Sequence, residues 1–409
     1  MKTIIIAAVA VGGSSFPTSA QAWERETDVG LTQRAVQHSA LDAWLRHHGY
    51  EAGLHEELGL RHADGTLEPR DAALLGQLVA VDAALGAAPD DGRQPALDWL
   101  LAGTALEGVG IERIRNHFLD ANQHGLDEHE RLDAMRVRFD DVRAGLGTFR
   151  GAFTGVNFDG TGLPASRWVD ATSNPLSRRA FIAAQLDTLR SATPKLREAA
   201  LARALVAAGA LLDVLQSVGD PANARNDFYT NTIVARSPLE AYAAERYGML
   251  VPPALGKGTP RDKLASFFHS ADGTGLADEV GRAYRSPATQ ATRPTKEQLA
   301  ITTDALLPHI AAQSAALLDF LFRGTLDFET TTEGPIAVHA DIGLGAGTLD
   351  LYTDTADGTR VLVTTRKVAA VPETAELARF PGVDSKTLFV FHGVDAAGEP
   401  IVIGARRTP

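Results

Sequence analysis

"TPKLREAALARALVAAGALLDVLQSVGDP", residues Thr193 to Pro221, decides the fold of this chain. It predicts one long helix with both ends marked. Thr193 suits the N-cap and Pro194 the first turn. Leu201, Leu205, Ala208, Leu212 and Leu215 recur at steps of three and four, the spacing of one helical face. Gly219 favours the end of the helix, and Pro221 cannot continue it. Asp213 and Ser217 are four residues apart, so both point the same way from it, and Asn223 lies just past the turn. The stretch has the frame of a metal-binding helix and the turn that follows, but it contains no histidine.

Outward from that helix, the pattern stays helical from Glu26 to about Phe322, rich in Ala, Leu, Arg and Glu. Further helices are expected near Leu31–Leu45, Asp71–Leu85, Gln94–Leu106, Asp127–Gly145, Pro175–Leu189, Leu239–Tyr247 and Lys296–Phe322. Near Gly324 the composition changes. "IAVHADIG", "TLDLYTD", "TRVLVTTRK", "TLFVFHG" and "PIVIGAR" are short runs of Val, Ile, Phe and Thr between turn formers. The expected architecture is therefore a mostly α domain, residues 23–330, followed by a small C-terminal antiparallel β-sandwich or sheet domain, residues 331–409.

Composition narrows the function. The opening 22 residues carry Lys2, the apolar run "IIIAAVAV" and "AQA" at Ala20–Ala22, the layout of a signal peptide. An exported protein, secreted or periplasmic, is expected, with its mature chain starting at Trp23. The net charge is −12, which argues against long-range attraction to nucleic acid or anionic lipid. No cysteine is present, so cysteine nucleophiles and Cys-type zinc sites are excluded. No Gly-x-Ser-x-Gly elbow, His-Glu-x-x-His helix or complete P-loop occurs. His47, His48, His55 and His62 read as a polar surface.

Three places carry candidate chemistry. At the mature terminus, a free amine on Trp23 would be a metal donor, and His38 is expected on the buried face of the helix that follows. In "LDWLLAGTALEGVGIERIRNHFLDA", Leu97 to Ala121, Glu107 closes a helix and His117 sits beside Phe118. The third is the opening helix, with Asp213, Ser217 and Asn223, joined by Glu240 at the start of the next helix. Each has a plainer reading. His38 and His117 could be core histidines, and Asp213 could pair with Arg225 or Arg236.

In order and spacing these pieces resemble the zinc-dependent phospholipase C and single-strand nuclease superfamily, over about Trp23 to Tyr247. The matching frame is "AGTALE" with "RNHFLD", the region of Trp168, Asn174 and Pro175, the long helix, and "PANARND". The resemblance implies an exported helical protein whose mature N-terminal Trp binds zinc, often with a C-terminal β-domain. Carried over by position, it keeps Trp23, His38, His117 and Glu240, with Asp213 as an oxygen-donor replacement for a histidine. It departs at Gly108, where an Asp is expected and only Glu107 stands nearby. It departs again at Ser217, Asn223 and Arg236, where Asp, His and His are expected. Asp220 would stand in for Ser217 if the helix ended early.

Three dications packed together need bridging carboxylates, and neutral Ser and Asn hold such ions weakly. Arg236 would add positive charge where a metal needs negative; it could also replace a lost cation outright. A three-zinc cluster is not expected; one or two zinc ions could be held by the donors that remain. Two functions follow from the resemblance. One is a phosphoesterase acting on phosphate esters, phospholipid before nucleic acid, with the β-domain as a peripheral membrane contact. The other is a non-catalytic pseudoenzyme that uses the same fold to bind lipid or envelope partners.

Overall fold

The computed structural model describes residues 23, 25–82, 92–114, 116–118, 163–224, 238–246, 255, 258–284, 294–330, 336–380 and 387–406. The leader, the helix expected at Asp127–Gly145, Arg225 and Arg236 lie outside the described residues.

The helices are α1 (Arg25–Gln37), α2 (Leu41–His47), α3 (Pro69–Asp82), α4 (Ala96–Glu107), α5 (Ile111–Ile114), α6 (Ala165–Trp168), α7 (Arg178–Arg190), α8 (Pro194–Ser217), α9 (Pro221–Ala224), α10 (Pro238–Arg246), α11 (Ala265–Phe268), α12 (Leu276–Ala283) and α13 (Lys296–Leu321). A small antiparallel ladder joins β1 (Glu57–Gly59) to β2 (Arg93–Pro95). The β region follows, with β3 (Leu326–Thr330), β4 (Ile336–Ala340), β5 (Leu344–Asp354), β6 (Arg360–Val368), β7 (Glu376–Phe380), β8 (Thr387–Asp395) and β9 (Pro400–Arg406). The chain is thus mostly helical and ends in antiparallel sheets.

Helix α8 is the axis of the helical part. Thr193 Oγ1 accepts the backbone N–H of Leu196 at 3.3 Å, as the N-cap spacing predicts. From Ala199 to Ser217 every residue except Arg203 is buried. A helix that is apolar nearly all round belongs in the middle of a bundle. Arg203 escapes by a two-pronged bond to Asp71, its Nη1 2.7 and 2.8 Å from the two carboxylate oxygens.

The crossing of α4 and α8 is set by two glycines. A Cβ built on Gly103 would stand 2.0 Å from the carbonyl oxygen of Val206, and one on Gly209 1.9 Å from that of Leu100. No side chain fits at either place, so the two backbones touch. Polar groups tie the same region together. Thr104 donates to the carbonyl of Gly209 at 3.2 Å, and Gln216 donates to Thr32 at 3.0 Å.

The region expected to be one helix at Leu31–Leu45 is two, α1 and α2. The break falls at His38–Ala40, where Asp319 accepts the N–H of Ala40 at 2.7 Å and Ser39 bonds back to the carbonyl of Val36. Local side-chain bonds of this kind compete with helix continuation.

The β region is a sandwich. One sheet has the order β3-β4-β7 and the other β6-β5-β8-β9. Leu326, Val338 and Phe380 from the first meet Leu349, Leu351, Phe389, Phe391, Ile401 and Ile403 from the second. The outer face of the larger sheet packs Tyr352, Leu388, Val390 and Val402 on Leu189 of α7. Arg178 of α7 pairs with Asp170 on its own side and with Glu399 across that seam. Among the described residues no helix is long and apolar enough to cross a membrane.

Candidate functional site

The glycine crossing has a direct result at its far end. Gly103 is one turn before Glu107 on α4, and Gly209 one turn before Asp213 on α8. The contact that brings the backbones together therefore delivers two carboxylates into one interior. Glu107 is fully buried and Asp213 is 1 % exposed.

The strap after α4 supplies the remaining groups. It turns at Gly108–Gly110, forms α5 and returns at His117. Asn116 pins it, donating from Nδ2 to the carbonyl of Arg113 at 3.1 Å and accepting the N–H of Leu163 at 2.7 Å. His117 is thereby held between α4 and α8. Its Nδ1 is 3.0 Å from Ser217 Oγ and 3.7 Å from Asp213 Oδ2, and its Nε2 is 3.4 Å from Glu107 Oε1.

Glu107 is the best-served group of the centre. The Trp168 indole N–H donates to it at 2.6 Å and Arg113 Nη1 at 2.8 Å. Burial disfavours its ionised form, but His117, Arg113 and Trp168 together outweigh burial and hold its carboxyl below the usual range. An anionic Glu107 favours the His117 tautomer with its proton on Nε2. Nδ1 is then an acceptor, and Ser217 donates to it.

Asp213 is the opposite case. Neither of its oxygens has a hydrogen bond. Burial, then the charge of Glu107, push its carboxyl well above the usual range, with Arg113 opposing. Asp28 of α1 shares this state: 2 % exposed, with no hydrogen bond on either oxygen. Burial raises its carboxyl first, followed by the charges of Asp213, Glu240, Asp220 and Glu26.

The candidates of the sequence reading divide accordingly. His117, Asp213, Ser217 and Glu107 come together. Glu240 and Asp220 are buried within electrostatic reach of Asp28. Asn223 is buried in α9, and Gly108 caps α4. Trp23 is fully buried, its indole donating to the carbonyl of Gln216 at 3.1 Å. His38 is a correction. The helix expected to continue to Leu45 stops at Gln37, so His38 is exposed in the break and not on the buried face. Arg236 lies outside the described residues; the arginine paired with Glu107 is Arg113, at 2.8 Å.

Sequence reasoning missed Arg113, the indole of Trp168 as a donor, and Asp28. Arg113 and Trp168 come from separate segments and leave no periodic trace. Asp28 did leave one. It shares the buried stripe of α1 with Leu31, Thr32 and Ala35, the steps of three and four that mark an inward face.

The described side chains do not converge as a zinc-ligating set. His38 is exposed at the surface, both His117 nitrogens face partners, and Glu107 is neutralised by Arg113. Among the described residues no three His, Asp or Glu side chains are arranged to hold a metal ion as they stand.

No family model matches the chain, and no curated protein matches it. Solved structures similar to it include two alpha-toxins. The alpha toxin from Clostridium absonum has 11 % identity and a TM-score of 0.34, covering 93 % of this chain and 92 % of that one. The Clostridium perfringens alpha-toxin from avian strain SWCP has 11 % identity and a TM-score of 0.30, covering 85 % and 96 %.

Proposed function

We propose that this chain is a phosphoesterase-like protein with a non-catalytic centre, which binds a lipid or envelope partner and does not hydrolyse it. One observation carries the reading: Arg113, His117 and Trp168 all spend themselves on Glu107. The positive charge beside that carboxylate belongs to the protein, and the imidazole is engaged at both nitrogens. A hydrolytic centre keeps at least one coordination position open for water or substrate. Lipid as the partner rests on the sequence resemblance to zinc-dependent phospholipase C.

A second reading, hydrolysis of a phosphate ester with phospholipid favoured, is supported by Asp28 and Asp213. Their carboxylates have no donors, and buried anions without donors are costly. A divalent ion beside them would act as a Lewis acid toward a phosphoryl oxygen.

The test uses the chain starting at Trp23, with phosphatidylcholine vesicles and single-stranded DNA as substrates, and zinc in excess. Co-sedimentation with vesicles and no release of phosphocholine or nucleotide is the expected result. Zinc-dependent release of phosphocholine would overturn the non-catalytic reading in favour of the second. Absence of both binding and release would remove lipid as the partner.

A further inference from the structure

One strand of the β region is left uncovered. β6 is the outermost strand of the larger sheet and pairs with β5 alone. Val361, Leu362 and Val363 are 47, 51 and 56 % exposed. They are consecutive, and they make up half of the large apolar side chains exposed among the described residues, so such exposure is concentrated at this edge. The register puts them on different sides. Leu362 lies opposite Tyr352, on the face that packs on α7, and Val361 lies opposite Thr353, on the other face. Val363 is the extra residue of a bulge, since Leu362 and Thr364 face the consecutive Tyr352 and Leu351. No single plane touches all three, so a flat lipid surface covers them poorly. A strand laid alongside β6 covers them together.

The edge also has a direction. At its start the Arg360 N–H turns away from β5 and is taken by the carbonyl of Ala192 at 2.7 Å, so the turn between α7 and α8 closes that end. N–H groups alternate sides along a strand, so the Leu362 N–H is the next one on the open edge. Arg366 and Lys367 stand at the far end. Arg366 lies over the Phe380 ring at 4.3 Å and donates to the carbonyl of Arg379 at 2.9 Å. Lys367 is exposed, and among the described residues its side chain has no ion pair or hydrogen bond.

We propose that the free edge of β6, residues 362–367, accepts an extended segment of a partner protein that is acidic in its first half and apolar in its second. Every pairing in the larger sheet is antiparallel. An added strand that continues the pattern runs from Lys367 toward Leu362. Its carboxylates then meet Lys367, and its apolar residues meet Leu362 and Val363. A second copy of this chain fits worse. Antiparallel pairing of residues 362–368 with themselves is centred on Thr365 and makes the two Arg366 side chains diagonal neighbours of like charge. The proposal needs neither the buried centre nor lipid.

The test is fluorescence anisotropy of short labelled peptides mixed with the full chain. One peptide alternates Glu and Thr in its first half and Val and Thr in its second. Another has the same residues in reverse order, and a third carries Lys in place of Glu. The first should bind with a Kd below about 1 mM, the reversed peptide more weakly and the lysine peptide least. Lys367→Glu should weaken the first peptide about 2–30-fold, because it exchanges a cross-strand attraction for a repulsion. The substitution is at an exposed side chain, and an unchanged Tm separates lost binding from a lost fold. N-methylation of the first peptide at every second residue should abolish binding in one of its two phases, since backbone hydrogen bonds hold an added strand. Equal binding of the first and reversed peptides, or binding that Lys367→Glu leaves unchanged, would overturn the proposal. So would no binding at about 1 mM, a dimer of the wild type that Leu362→Lys dissolves, or binding to phosphatidylglycerol vesicles in place of peptide that Leu362→Lys removes.

Discussion

Glu107 and Asp213 are both carboxylates, both buried, and both brought in by the same helix crossing, yet they behave as opposites. Glu107 has three donors and is held ionised. Asp213 has no hydrogen bond, and burial pushes its carboxyl up. Depth is the same for the two, so depth does not decide their charge. The difference is the strap after α4, which lays Arg113 on one acid, beside Trp168 of α6, and turns only His117 toward the other. Ionisation inside this bundle is assigned by which acid the strap serves.

The sharpest way to break the comparison is Arg113→Ala. It strips the cation from a buried carboxylate, and unfolding in urea should lose about 3–5 kcal/mol. If little is lost, Glu107 is not ionised, and the two acids do not differ. Next is Gly209→Ala, which forces α4 and α8 apart and should cost at least about 1–3 kcal/mol. It should also weaken the electrostatic effect of Glu107 on Asp213. An unchanged stability would mean that the crossing is looser than the 1.9 Å approach requires.

The smallest effect has the opposite sign. Asp213→Asn removes a carboxylate that has no donor, and stability at neutral pH should stay level or rise by about 1 kcal/mol. The pH dependence gives the same contrast. The native Asp213 carboxyl is raised above 3.8, so its contribution is complete below that pH and is lost as the pH climbs through the native value. Glu107 is lowered from 4.5, so its contribution is complete above that pH and is lost as the pH falls through the native value. In urea midpoints measured against pH, Asp213→Asn should flatten the alkaline side and Glu107→Gln the acid side. A matching change in both variants would refute the division.

Much of the architecture was legible in the sequence, because it follows from periodicity and turn chemistry. Thr193, Pro194 and Pro221 mark α8 and its end, and "PIVIGAR" is β9 residue for residue. β3 and β7 escaped notice. Each is a five-residue strand at the edge of the smaller sheet; β3 alternates over only Leu326 to Glu329, and β7 does not alternate clearly. The centre was legible only in part. Asp213, Ser217 and His117 were placed by spacing along their own helices and strap. His38 failed because the helix expected to run on to Leu45 is broken between Gln37 and Leu41. Arg113 could not be found at all, since its value depends on a turn that folds it back on Glu107.

The glycine pair has one more implication. Gly103 and Gly209 fix the separation of the two helices a full turn away from the acids they deliver. The close approach of the two backbones is therefore set by residues other than those at 107, 213 and 217. Side chains at those positions can be changed without filling the space in which α4 and α8 meet. The geometry of the centre and its chemistry are thus set by different residues: the glycines place the helices, and the acids and their donors set the charge.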